Sequence, residues 1–154
     1  MIKAIKIIAP VLLCFAVGFT AAYFQSDAIE NWYPALNKPP LTPPNIAFPI
    51  AWNILYVLMG VSIGLILIKD DPQKSFFVKL FAVQLLFNFL WSILFFYLQN
   101  PLLGLIDILL LDAVVLFYII KSYNSFRASS ILFMPYLLWI SFATYLNLYI
   151  LMYN

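Results

Sequence analysis

Long apolar stretches alternate with short connections that hold nearly all of the charged residues of this 154-residue chain. Four of the five stretches, 7–24, 46–68, 80–98 and 128–153, carry no charge, and the other, 102–120, contains only Asp107 and Asp112. Each is close to the roughly 20 residues that a helix needs to cross a hydrocarbon core about 30 Å thick. The pattern therefore predicts transmembrane spans at about 5–25, 45–68, 77–98, 102–121 and 128–152.

These spans also predict the fold class. Backbone groups inside lipid must hydrogen-bond within the protein, so a spanning segment is a helix or part of a closed barrel. The stretches lack the alternation of polar and apolar residues that is typical of barrel strands. We expect an all-α integral membrane protein, a bundle of five transmembrane helices that forms one domain over residues 1–154. With 66% hydrophobic and 9% charged residues, a soluble globular protein is excluded.

The basic residues are distributed unevenly between the two sides of such a bundle. One side carries seven of them: Lys3, Lys6, Lys69, Lys74, Lys79, Lys121 and Arg127. The opposite side carries only Lys38. By the positive-inside rule this predicts an N-terminus inside and a C-terminus outside, in a bacterial plasma membrane. The first apolar run exceeds the roughly 7–15 residues of a signal-peptide core, so we expect it to be retained. Topology explains the net charge of +2, and nucleic acid binding is not predicted.

The residue types that this chain lacks limit the kinds of catalytic and metal sites it can form. The chain has no histidine and one cysteine. A Ser-His-Asp triad, a histidine-ligated zinc site, a histidine-ligated haem and an intramolecular disulfide are therefore excluded. We predict no metal site and no cofactor.

The connection at 26–44 is the one long loop. Five prolines lie between Pro34 and Pro44, and they favour extended, stiff geometry over regular helix. The segment is predicted to form a rigid lid. Its Trp32 and Tyr33 are also consistent with a simple anchor at the level of the lipid headgroups.

Three spans carry stripes of aromatic and amide side chains at helical spacing. They comprise Phe48, Trp52 and Tyr56; Gln84, Asn88, Trp91 and Phe95; and Tyr136, Trp139, Ala143 and Asn147. Amides are costly in lipid, so the stripes should face inward. Together they would line a pocket for a planar, mostly apolar ligand. The alternative is ordinary bundle packing, in which the amides bond between helices.

Two carboxylates lie within the fourth span. Intramembrane carboxylates are rare and are a functional hypothesis by default. Asp107 and Asp112 are about 140° apart around a helix, so they do not form one paired acid-base site.

The order of these residues resembles the tryptophan-rich sensory protein or translocator protein family, also called peripheral-type benzodiazepine receptors. The likeness runs from Trp32 to Asn147. It rests on Trp32-Tyr33, Lys38-Pro39, Pro43-Pro44, Phe48, Trp52-Asn53-Ile54-Leu55-Tyr56, Met59-Gly60, Gln84, Asn88, Trp91-Ser92, Phe95-Phe96, Pro135-Tyr136, Trp139, Phe142-Ala143 and Leu146-Asn147.

The resemblance implies a membrane receptor or sensor that binds porphyrins such as protoporphyrin IX in a pocket between the helices. The implied ligand-binding residues are Tyr33, Phe48, Trp52, Gln84, Asn88, Trp91, Trp139, Ala143 and Asn147, and Lys38 could meet a propionate at the mouth. It further implies slow, light- and oxygen-dependent porphyrin degradation, for which Trp52 and Trp139 are the catalytic candidates. A transporter of porphyrins or sterol-like lipids is the alternative.

The resemblance also bears on partners. Besides membrane lipid, it favours a homodimer, and Gly60 with Gly64 forms a small-xxx-small step of the kind found at helix contacts. The same step would equally serve packing within one bundle. The sterol pattern of mammalian relatives requires a basic residue after the last tyrosines, and none follows Tyr153. Steroid binding at that place is therefore not predicted.

Overall fold

A computed structural model describes residues 2–154, and it shows the predicted architecture. Within this range the chain forms five long helices and no strand: α1 (Ile2–Asp27), α2 (Ala47–Ile68), α3 (Lys74–Trp91), α4 (Pro101–Ser122) and α5 (Arg127–Tyr153). All five are long and apolar enough to cross a membrane. The prediction of an all-α integral membrane protein with five spanning helices is confirmed.

Two of these helices continue as π-helical segments. Ala28–Trp32 follows α1 and leads into a 3-10 turn, Tyr33–Ala35, while Ser92–Tyr97 follows α3. The lid is therefore shorter than the predicted 26–44 loop. Pro34 lies at the start of the 3-10 turn, where a missing N–H costs little, and no proline or glycine precedes it after Gly18. We call the non-helical residues 36–46 the lid.

The two ends of the bundle differ in charge. We call the end with the start of α1 and the α2–α3 and α4–α5 connections the basic end, because it holds seven of the eight Lys and Arg residues. The other, the lid end, holds the lid, the α3–α4 connection and the end of α5.

Helices α1 and α2 approach closely through glycines. A Cβ at Gly64 would lie 2.8 Å from the Cα of Ile7, and one at Gly60 would collide with the backbone of Val11. Both glycines are thus needed for packing within this chain. The small-xxx-small step gives no separate support to a homodimer.

The half of the bundle toward the basic end, here the packed half, has an interior filled with aromatic rings. Tyr118 and Phe133 stack with ring centroids 4.2 Å apart, and both are fully buried. The Tyr118 hydroxyl lies 2.9 Å from Ser129 Oγ, which is in turn 2.7 Å from Ser62 Oγ. These bonds join α2, α4 and α5 and satisfy buried hydroxyls where water is excluded.

Candidate functional site

A cavity of about 320 Å³ lies between the helices at the lid end. It is lined almost wholly by aromatic and aliphatic side chains, with four amides and one serine among them. The lining residues are Gln25, Ile29, Tyr33, Asn45, Phe48, Pro49, Trp52, Tyr56, Asn88, Trp91, Ser92, Phe95, Phe96, Trp139, Ala143, Leu146, Asn147 and Ile150.

One wall comes from α2 and α5. Trp52 stacks on Tyr56 one helical turn away, with centroids 5.6 Å apart and planes at 28°. Phe48 meets Trp139 edge to face at 5.8 Å. Since i, i+4 residues share a helix face, the spacing of Phe48, Trp52 and Tyr56 delivers three rings to the same side. Ala143, one turn beyond Trp139, leaves space between these rings.

The facing wall comes from α3 and its π-helical extension. Trp91 stacks on Phe95 with centroids 5.3 Å apart and planes at 11°. Ser92, Phe95 and Phe96 lie in the π-helical segment, and Ile29 lies in the other one. Both departures from α-helical geometry therefore contribute side chains to the same cavity, as π-bulges frequently do at functional sites.

Amide groups fasten these walls together. Asn147 Oδ1 accepts from Trp91 Nε1 at 3.2 Å, and Asn147 Nδ2 donates to the Pro101 carbonyl at 2.7 Å. Asn88 Nδ2 donates to the Tyr136 hydroxyl at 3.0 Å. Each of the two amides thus has an interhelical partner, as the bundle-packing alternative expects, and each also lies on the cavity wall.

The lid borders the cavity at Asn45. Tyr33, just before it, lines the cavity and packs on Phe96 at 5.6 Å. The backbone N–H of Asn37 donates to Asn154 Oδ1 at 2.8 Å, and Asn154 Nδ2 donates back to the Asn37 carbonyl at 3.1 Å. The lid is thereby tied to the end of α5.

Lys38 does not reach the cavity. Its ammonium donates to the carbonyls of Tyr33, Pro34 and Leu36 at 2.8, 3.2 and 3.1 Å, and it lies 4.9 Å from the Tyr33 ring centroid. The side chain holds the turn that precedes the lid. The expectation that it could meet a carboxylate at the mouth does not agree with this geometry.

The structure brings together eight of the nine residues implied as ligand-binding, namely Tyr33, Phe48, Trp52, Asn88, Trp91, Trp139, Ala143 and Asn147. Gln84 is the exception, because it does not line the cavity. It lies one turn from Asn88 toward the basic end, where buried rings fill the interior. The side chain is fully buried, and neither its Oε1 nor its Nε2 has a hydrogen-bond partner.

The contribution of α1 and of the π-helical segment that follows it was not predicted from the sequence. Gln25 and Ile29 line the cavity beside Tyr33. They were overlooked because the first span was expected to end at about residue 25. The signal was present, since Gln25, Ile29 and Tyr33 follow one another at four-residue spacing, which is typical of one helix face.

Neither intramembrane carboxylate faces the cavity. Asp107 is buried in α4, and its Oδ2 has no partner. Asp112 accepts from Ser141 Oγ at 3.2 Å and from Thr144 Oγ1 at 2.7 Å, which joins α4 to α5. The cavity therefore has no carboxylate among its lining residues within the described part of the chain.

Comparison with known protein families assigns this architecture. The model of the TspO/MBR family matches residues 10–153. The chain belongs to the TspO/MBR family. The match covers α2, α3, α4 and α5 in full, most of α1, and both walls of the cavity.

Individual relatives of this TspO/MBR chain extend from archaea to mammals. The tryptophan-rich protein TspO of Archaeoglobus fulgidus is 42% identical over 97% of both chains. The protein of the same name from Chlorobaculum tepidum is 39% identical over 92% of this chain and 91% of its own. The translocator protein of Bos taurus is 30% identical over 84% of this chain and 79% of its own.

Proposed function

We propose that this protein is a membrane receptor that binds a porphyrin such as protoporphyrin IX, or a related planar apolar ligand, in the cavity at the lid end. One observation carries the proposal: Trp52, Trp91 and Trp139 come from three helices and line one cavity with few polar groups. Wide ring faces on opposite walls suit a flat aromatic ligand.

The size of the cavity indicates how such a ligand would enter. Its 320 Å³ is near the lower limit of ligand pockets, which range over about 300–1,000 Å³. A porphyrin with two propionates is larger than the ligands that fit that limit. We therefore infer that the lid moves on binding, and the hydrogen bonds of the Asn37–Asn154 pair, which tie it to α5, are exposed to solvent, consistent with this motion.

A receptor is favoured over a transporter by the packed half. Tyr118, Phe133 and Tyr136 are fully buried there and fill the space through which a ligand would have to pass. A vesicle flux assay tests this preference. Movement of protoporphyrin from one side of the vesicle to the other, dependent on the protein, would reject it.

Filling the cavity tests the proposed binding. Ala143→Phe places a ring between the two walls, and we expect protoporphyrin binding to weaken at least about tenfold because the ring competes for the ligand's volume. Quenching of tryptophan fluorescence during a porphyrin titration measures the affinity. The matched control is Ala113→Phe, since Ala113 is exposed on α4 and does not line the cavity. Equal affinities in both variants would reject this cavity as the porphyrin site.

Light-dependent porphyrin degradation is a further part of the proposal. Trp52 and Trp139 lie on the same wall, where an illuminated macrocycle and molecular oxygen, the oxidant, would meet an indole. The variant with both residues changed to phenylalanine should bind protoporphyrin and leave its absorbance intact under illumination. Decay at the wild-type rate in that variant would remove the catalytic role from both tryptophans.

Orientation and assembly follow from the charge distribution and from the family. We infer that the basic end faces the cytoplasm of a bacterial plasma membrane. A membrane-impermeant maleimide should then label Pro40→Cys in intact cells and spare Asn124→Cys.

A homodimer stays a prediction, which light scattering of the purified protein tests.

A further inference from the structure

A second cavity, of about 460 Å³, lies between the end of α1 and the α3–α4 connection. It shares only Phe96 with the cavity described above. Five of its eight lining residues are aromatic or apolar and three are polar: Tyr23, Phe24, Ala28, Phe96 and Tyr97, with Ser26, Asp27 and Gln99. None of these residues except Phe96 is used by the proposed porphyrin site.

Three of the rings form a corner. Phe24 meets Tyr23 at 5.6 Å with planes at 81°, and it meets Tyr97 at 5.6 Å with planes at 84°. Rings at near right angles present their electron-rich faces in more than one direction. This is the arrangement with which proteins surround ammonium groups.

The carboxylate of Asp27 lines the same cavity as these rings. Asp27 Oδ1 accepts from Asn31 Nδ2 at 2.8 Å, which orients the group and leaves its charge uncompensated. No lysine or arginine is among the lining residues in the part of the chain that the structure describes. Lys38, the basic residue of this end of the bundle, is bound to three carbonyls of its own segment. The cavity therefore combines negative charge with ring faces and lacks a cation.

The position of the cavity indicates where a cation would come from. It lies at the end of α1 and next to the turn that ends α3, the level at which spanning helices reach the lipid headgroups. Tyr23 and Tyr97 are 78% and 58% exposed, so no other part of the protein covers the rings. The rings are thus accessible from outside the bundle.

We propose that this second cavity binds an alkylammonium group, supplied by the headgroup of a membrane lipid such as phosphatidylethanolamine. The ammonium would donate to Asp27 and lie against the faces of Phe24 and Tyr97, while Ser26 and Gln99 offer hydrogen-bonding groups to the rest of the headgroup. A free amine carries the same ammonium chemistry and is the other source.

Native mass spectrometry of the purified protein tests the proposal with two lipids that differ in the headgroup nitrogen, which is an ammonium in one and a neutral amide in the other. These are dioleoyl-phosphatidylethanolamine and its N-acetylated form. We expect the first to be retained about tenfold more than the second, because acetylation removes the positive charge and two of the three N–H donors. Equal retention of the two lipids would overturn the proposal.

Matched variants locate the site. Asp27→Asn keeps an oxygen for Asn31 and removes the charge, and it should lower retention of phosphatidylethanolamine about tenfold. Glu30→Gln removes an exposed carboxylate that is outside the lining, and it should change nothing. Tyr97→Leu should lower retention about threefold, and Tyr153→Leu, at a tyrosine of similar exposure, should not. Identical losses in Asp27→Asn and Glu30→Gln would reject Asp27 as the ligand.

Competition with ethanolamine distinguishes the two sources. If the lipid headgroup is the occupant, millimolar ethanolamine should leave the bound lipid in place. Displacement of the lipid at that concentration would contradict the lipid part of the proposal and assign the site to free amines. Neither result depends on porphyrin binding, so this test fails or succeeds separately from that of the receptor function.

Discussion

The packed half and the lid half of this bundle use the same kinds of side chain in opposite ways. In the packed half, Tyr118 and Phe133 meet across the interior at 4.2 Å and leave no space. In the lid half, Trp52 and Trp91 pack on neighbours of their own helices and leave about 320 Å³ between the walls. Aromatic rings therefore form a filled core in one half and the walls of a cavity in the other, although a pair such as Phe48 and Trp139 meets across helices in the lid half too.

Removing a ring should affect stability most in the packed half. Phe133→Ala leaves a void among fully buried neighbours, and we expect it to cost about 3–5 kcal/mol of unfolding free energy. Phe48→Ala only enlarges an existing cavity, and it should cost about 1 kcal/mol or less. Thermal unfolding in detergent compares the two. A larger loss in Phe48→Ala would show that the two halves do not differ in packing.

The amide that joins the walls should come next. Asn147→Leu leaves Trp91 Nε1 and the Pro101 carbonyl without their partner, at a cost of about 1–3 kcal/mol. Because Trp91 then loses its fixed position, protoporphyrin affinity should fall several-fold. Asn53→Leu is the control, since Asn53 is an exposed amide on α2. If both variants keep wild-type stability and affinity, Asn147 does not hold the wall.

The lid should contribute to kinetics more than to stability. Asn154→Ala removes both hydrogen bonds to Asn37, and a loss of about 1 kcal/mol would speed porphyrin dissociation about fivefold. Stopped-flow fluorescence measures the rate. Asn124→Ala, at an exposed asparagine of the basic end, serves as the reference. An unchanged dissociation rate in Asn154→Ala would mean that the lid does not gate the cavity.

The smallest effect is expected at Gln84, on the boundary between the halves. Its amide has no hydrogen-bond partner, so Gln84→Leu should keep or raise stability by about 1 kcal/mol. Porphyrin affinity should stay within about twofold, whereas Asn88→Leu, which alters the cavity wall, should lower it. A tenfold loss of affinity in Gln84→Leu would place Gln84 in the site after all.

The length of the apolar runs was sufficient to predict the five spanning helices, because a helix in lipid is fixed by hydrocarbon thickness and by backbone hydrogen bonding. Periodicity likewise predicted that Trp52, Asn88 and Trp139 face one interior space. Periodicity gives the direction of a side chain. It does not give the level along the bundle at which side chains of neighbouring helices fill the interior. For that reason Gln84, on the same stripe as Asn88, was wrongly expected to line the cavity.

The lid was harder to predict for a different reason. Prolines such as Pro39 and Pro43 indicate where a helix cannot continue, and they do not indicate how far it continues before them. The π-helical stretch at Ala28–Trp32 has no proline or glycine in it, so nothing in the residue types marks it. The backbone partners of Lys38 were not predicted either, because they depend on the turn that Pro34 begins.

The directions of the rings in the π-helical segment Ser92–Tyr97 depend on the number of residues in that segment. Each residue turns an α-helix by about 100°. Deleting one residue before Phe95 would therefore rotate the side chains of Phe95, Phe96 and the residues up to the next turn into a different direction. Such a shortened chain would still cross the bilayer as often as before. One wall of the cavity would, however, be turned away. A one-residue deletion would therefore abolish the proposed ligand binding and leave membrane insertion intact.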